Sequence, residues 1–297
     1  MAADITLSRP ATTTEPATPS GHRPLRRFLG TRHWTFAAGS VIFGSILAVL
    51  ILGPVIWSLD PAKQDIIQRL KPPSGQYWLG TDNLGRDVFA RLVEGGRFTV
   101  TIAALSVLIS VVIGVSIGIL AGRLGGWFEE ISMRIVDLLI AIPDTVIAIF
   151  LVAIFGPGHV TLIVALTIVG WTPYARLSRG LALQVNAMDY IRAAEVLGMT
   201  RRFILIRHFL PNLIRPISAV TFLRFGHKLI TVGGLSYLGL GVQPPAPDWG
   251  LMLAAAQPYL DRAPMLKIAP GLAIFITALS VTWIGHGLEI DRTKPKD

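Results

Sequence analysis

The 297-residue chain contains no cysteine, which excludes disulfides, thiolate metal sites and cysteine nucleophiles. Charge is also scarce. Asp, Glu, Lys and Arg make up 15% of the residues, where a soluble domain carries about 25%. No GxxxxGK[ST] phosphate loop and no HExxH pair occurs, so the chain is neither a P-loop ATPase nor a zincin. A large polar soluble domain is missing as well. Together these absences leave little room for a catalytic site, and no catalytic residue is assigned.

What remains is apolar. Hydrophobic residues account for 52% of the chain, and mean hydropathy is +0.58. A helix needs about 20 apolar residues to cross a bilayer. Six stretches approach that length, at 34–57, 98–121, 131–155, 159–171, 216–240 and 268–284. The fourth is short unless it runs on to Tyr174. The pattern predicts an all-α membrane protein with about six transmembrane helices. The third and fourth spans are joined by Gly156-Pro157-Gly158, a tight turn that demands an antiparallel hairpin. Residues 1–30, rich in Thr, Pro, Ala and Arg without apolar period, read as a disordered tail. The long apolar run that follows lacks a small-residue cleavage site, so no secretory signal is expected. Ala2 rules out a myristoyl anchor.

The net charge of +9 is explained by topology rather than by nucleic acid, because the basic residues sit mostly between apolar runs. Arg9, Arg23, Arg26, Arg27 and Arg32 lie in the tail. Arg176, Arg179, Arg192, Arg201, Arg202, Arg207 and Arg215 lie between spans four and five. This bias predicts both termini on the cytoplasmic side. The chain then divides into a cytoplasmic tail at 1–33, a first helix with a periplasmic segment at 34–97, a five-helix core at 98–286 and a cytoplasmic tail at 287–297. Gly114, Gly118 and Gly122 recur every four residues on span two, giving a smooth face for close helix packing.

The segment 186–212 reads NAMDYIRAAEVLGMTRRFILIRHFLPN. Asn186 is placed to cap a helix running through Leu197, with Asp189 in its first turn. Gly198 suits the left-handed residue that ends it. Thr200 is placed to cap a second helix that stops before Pro211. This stretch resembles the EAA loop of bacterial ABC importer permeases, through Arg192-Ala193-Ala194, Gly198 and Leu210-Pro211. Trp78-Leu79-Gly80-Thr81-Asp82, Gly85-Arg86-Asp87, Met133-Arg134-Ile135-Val136-Asp137 and Asp248-Trp249-Gly250 are similar to segments of the dipeptide, oligopeptide and nickel branch, and of its second permease in particular. The resemblance implies that Arg192, Ala193, Ala194, Glu195, Gly198, Leu210 and Pro211 couple the chain to an ATPase. It also implies the partners: a second homologous permease, two ABC ATPase subunits that bind ATP and Mg, and an extracytoplasmic substrate-binding protein. The chain itself is expected to need no cofactor and to lie in the bacterial inner membrane, surrounded by lipid. It departs from the family where Arg192 stands in place of Glu, with Glu195 nearby, and in its C-terminal sequence.

Span five carries Arg224, His227 and Lys228, a basic group at i, i+3, i+4 extended by Ser218, Thr221 and Thr231. Each basic residue at the bilayer centre costs roughly 2.5–3.5 kcal/mol on insertion scales. The stripe is therefore expected to face the bundle interior. One reading makes it a lining of the solute path that favours carboxylates. The other pairs it with Asp137 or Asp144. His227 alone falls short of a metal site. Asp137, Pro143 and Asp144 predict a kink and a polar contact in span three. Trp78, Trp249 and Tyr259 are candidate interface anchors. Peptides are the expected solutes, with nickel, metal chelates or opines as the alternative. An ion-coupled secondary transporter is the reading from another class, and it lacks the expected internal repeat.

Overall fold

The computed structural model describes residues 31–57 and 60–290. The expected tail at 1–30 and the last residues, 291–297, fall outside it. Among the described residues there are eleven α-helices and no strand, only an isolated bridge between Thr81 and Asp87. The order is α1 (Thr31–Ile56), α2 (Val88–Leu124), α3 (Gly126–Ile140), α4 (Asp144–Phe155), α5 (His159–Gly170), α6 (Thr172–Asn186), α7 (Asp189–Val196), α8 (Arg201–Ile204), α9 (Leu210–Tyr237), α10 (Trp249–Ala255) and α11 (Met265–Ile290).

Four helical segments are long and apolar enough to cross a membrane: Trp34–Ile56, Val88–Leu124, His159–Asn186 and Met265–Glu289. A fifth is the pair α3 and α4, bent by 84°. The sixth expected span, α9, has the length at 28 residues, but its polar residues keep it out of the uniformly apolar set.

α2 is the central helix and touches α1, α3, α5, α6, α9, α10 and α11. Its start lies ten residues before the expected 98, because Asp87 caps it by accepting from the Phe89 and Ala90 amides. Its hydroxyls are satisfied within the helix: Thr99 donates to the Gly95 carbonyl, Ser106 to Ile102 and Ser110 to Ser106. This is how polar side chains persist where water is absent. The glycine seam packs as expected, against α6. A Cβ on Gly114 would stand 2.3 Å from the Trp171 carbonyl oxygen, and one on Gly118 2.0 Å from Ser178 Oγ. Asn186 Nδ2 donates to the Gly122 carbonyl at 2.9 Å and closes the seam.

Three expectations about the spans need correction. Span three is two helices, not one, because Pro143 has no N–H to continue the ladder and forces the preceding residue out of the helical region. Span four does not stop near 171. α5 and α6 together run 28 residues, so the first third of the expected loop at 172–215, residues 172–186, continues the span as helix. Trp249 is not an interface anchor. It is 2% exposed, and its Nε1 donates to the Leu92 carbonyl at 2.8 Å. Trp78 stays exposed, edge-on to Trp57 and tilted against Phe89.

The segment before α2 folds around one carboxylate. Asp82 accepts from the Leu84 and Arg86 amides and from Arg86 Nε at 2.7 Å, with Arg91 Nε at 3.5 Å. Gly85, at φ +73°, packs so tightly that a Cβ would lie 1.7 Å from the Asp65 carbonyl oxygen.

Candidate functional site

Two regions carry the residues singled out from the sequence. The first is built by α6, α7, α8 and the start of α9. α7 is short, so its stability depends on what it packs against. Ile191 and Ala194 turn inward and are buried with Ile204, Phe209 and Leu213. Arg192, Ala193, Val196 and Leu197 turn outward, Val196 being 88% exposed. The two alanines therefore divide the work: Ala194 seats the helix, and Ala193 leaves its outer face smooth. Glu195 lies on the same helix, with its side chain outside the description.

Gly198 takes φ +76°, and the Met199 amide donates back to the Ala194 carbonyl at 3.1 Å, a glycine-terminated helix end as expected. Thr200 Oγ1 accepts from the Phe203 amide at 3.3 Å, also as expected. Asn186 is not the cap of α7; it is the last residue of α6. Pro211 does not stop the second helix either. A π-helical turn, Leu205–Phe209, joins α8 to α9, and the Leu210 amide donates to the Leu205 carbonyl. The wider turn accommodates the ring that would clash in a regular helix. Leu210 and Pro211 are thus the exposed first turn of α9. Sequence reasoning missed a clasp here: Asn212 Nδ2 donates to the Tyr190 hydroxyl at 3.2 Å, and the Tyr190 ring lies 5.6 Å from that of His208.

The second region is a cavity of about 590 Å³ between α2, the α3–α4 break, α6 and α9. Arg224, His227 and Lys228 all line it, together with Asp144, Tyr174 and Arg176. Lys228 is 4% exposed, and its Nζ lies 3.1 Å from Asp144 Oδ2. Asp137 pairs instead with Arg176, and Glu129 with Arg179 at 2.5 Å. The basic group does not extend into one polar stripe. Thr221 and Thr231 are not among the lining residues; their hydroxyls bond back to the Ile217 and His227 carbonyls. The α3–α6 ion pairs were hidden in the sequence because Arg176 and Arg179 read as loop residues; their spacing of three from one another was the available signal.

Gly114-Val115-Ser116-Ile117-Gly118 has the GxSxG spacing of a nucleophile elbow. It lies within α2 and not at a strand-to-helix turn, which removes the geometry that motif requires.

A bundle with a broken span, a polar cavity and a small exposed helix has the parts of a membrane transporter subunit. The family described as the binding-protein-dependent transport system inner membrane component matches residues 114–289, and the chain belongs to it. It is a permease subunit of an ABC importer. It is 39% identical over 272 residues to the glutathione transport system permease protein GsiD of Pectobacterium atrosepticum, covering 91% of this chain and 89% of that one. It is 33% identical to the dipeptide transport system permease protein DppC of Alkalihalophilus pseudofirmus, covering 87% and 84%. A chain of the MetNI methionine ABC transporter, in an inward-facing conformation, shares the fold with a TM-score of 0.54 and 19% identity over 68% of this chain and 96% of that one.

Proposed function

We propose that the chain forms half of the translocation pathway of an importer for glutathione, short peptides or similar small solutes. The observation that carries this reading is similarity along nine-tenths of the chain to a permease named for glutathione transport. A second homologous permease completes the pathway, two separate ABC ATPases supply ATP hydrolysis with Mg, and an extracytoplasmic binding protein delivers the solute. Both termini lie in the cytoplasm of a bacterial inner membrane, which the Arg-rich segment around α7 supports.

In this reading α7 is the coupler. Its outer face, with Arg192, Ala193 and the Gly198 turn, seats on an ATPase, Glu195 belongs to the same helix, and Leu210 and Pro211 carry the movement into α9. The helix is suited to that role because Ile191 and Ala194 fix it to the body, so a pull on α7 is a pull on α6 and α9. The cavity residues Arg224, His227 and Lys228 line the path, with Thr221 and Thr231 stiffening the helix behind them. The test is uptake of labelled glutathione and of the dipeptide Ala-Ala by proteoliposomes holding the full importer. ATP-dependent uptake is expected. Uptake that follows an ion gradient without ATP, or an affinity-purified chain that brings no ATPase with it, would sink the reading.

A further inference from the structure

We propose that the cavity between α4, α6 and α9 is a binding station for a carboxylate-bearing solute, with Arg224 and His227 as the groups that meet the anion. The inference rests on the pathway reading above and adds the chemistry of what the pathway holds.

The charges lining the cavity are Arg176, Arg224, His227 and Lys228 against Asp144 alone. Two of the four basic groups are already committed, Arg176 to Asp137 and Lys228 to Asp144. Among the described residues, the side chains of Arg224 and His227 make no ion pair and no hydrogen bond, and both are exposed. A guanidinium is always charged and offers a planar fork of donors that matches a carboxylate. Basic residues in a span survive where they face a watery path or a partner charge. Here they face the path, and the local acid is taken by a buried lysine.

Tyr174 supplies an independent sign. It lines the same cavity and is 1% exposed. Its hydroxyl lies beside Thr221 and Arg224, and its contact with Thr221 falls outside full hydrogen-bond geometry. A buried hydroxyl held that loosely costs stability, and an oxygen acceptor bound at Arg224 would give it a full partner. The volume, about 590 Å³, lies within the ~300–1,000 Å³ of small-molecule sites. The i, i+3 spacing stacks His227 one turn from Arg224, so a solute with two acidic ends, or one acidic and one polar end, engages both.

The test uses the assembled importer in lipid nanodiscs. Phenylglyoxal labelling of each arginine is followed by peptide mass spectrometry, with glutarate or its uncharged counterpart glutaramide present. Glutarate is expected to slow labelling at Arg224 roughly tenfold, as a charge-assisted pair should, and glutaramide to leave it unchanged. Arg97, paired with Glu94 outside the cavity, serves as the internal reference and should respond to neither. Equal labelling of Arg224 under both conditions overturns the anion site, whether or not the importer carries glutathione. In parallel, Arg224→Gln is expected to lower glutathione uptake roughly tenfold, and Arg224→Lys to restore part of it. Protection at Arg224 combined with full uptake by Arg224→Gln overturns the pathway reading, and with it the solute as occupant.

Discussion

The two sides of α6 are held by different physics. On one side it meets α2 through glycines, with Ser178 Oγ 3.3 Å from the Gly114 carbonyl. On the other it meets α3 through ion pairs, Arg176 with Asp137 and Arg179 with Glu129, while α9 reaches α4 through Lys228 and Asp144. A seam closed by shape has no intermediate spacing: backbone atoms fit or they clash. A contact closed by long charged side chains tolerates small displacements and can exchange partners. The break between α3 and α4 lies on the ion-paired side. The glycine seam is therefore the rigid side, and the charged side is the one built to change.

The largest effect is expected from widening the seam. In Gly118→Val the new side chain meets Ser178 Oγ and the Ala175 carbonyl, 2.0 and 2.3 Å from the Cβ alone. Overpacking of this kind costs about 3 kcal/mol or more. The expected result is loss of the monodisperse peak in size-exclusion chromatography of the importer. Gly44→Val, whose Cβ would have nothing within 4 Å, should behave as wild type. If both variants are equally harmless, the seam is not the rigid side.

The charged side predicts a smaller loss that a second change repairs. Lys228→Met leaves Asp144 without its partner. Removing one member of a buried pair costs about 3–5 kcal/mol, and the partial exposure of Asp144 reduces this to about 2 kcal/mol. Adding Asp144→Asn removes the stranded charge and should recover most of the loss in thermal unfolding of the purified importer. A double variant no better than the single would mean that Lys228 stabilises the bundle by packing rather than by pairing.

These contacts also mark how far the sequence could be read. The spans, the glycine seam, the Gly156–Gly158 hairpin turn and the Gly198 helix end follow from local rules, so their residues announced them. The broken third span was half legible: Pro143 signalled a kink, but an 84° turn depends on what α4 packs against. Span four was drawn short because Arg176 and Arg179 lower its hydropathy, and only their acids on α3, about 40 to 50 residues upstream, explain why they are helical. The basic group on α9 was legible as a group. Its division into a paired Lys228 and a free Arg224 was not, since pairing across 84 residues is a property of the fold. Pro211 misled for the opposite reason: a local rule held, and a π turn evaded it.

The smallest expected effect concerns α7, where shape and charge can be separated at one position. Arg192 is exposed and makes no ion pair among the described residues. α7 is held to the body by Ile191 and Ala194, and neither contact involves the Arg192 side chain. Arg192→Glu therefore should not change the stability of the importer beyond ~0.5 kcal/mol, as for other exposed substitutions. If α7 seats on the ATPase by shape, as the smooth Ala193 face and the fixed Gly198 turn favour, ATP-dependent uptake should stay within roughly threefold of wild type, because a rim charge contributes little to a docked interface. Loss of uptake with intact assembly, restored by an acid-to-lysine change in the ATPase groove, would instead assign charge to the interface. α7 would then repeat the division of α6, with a shape contact on the inner face and a charge contact on the outer.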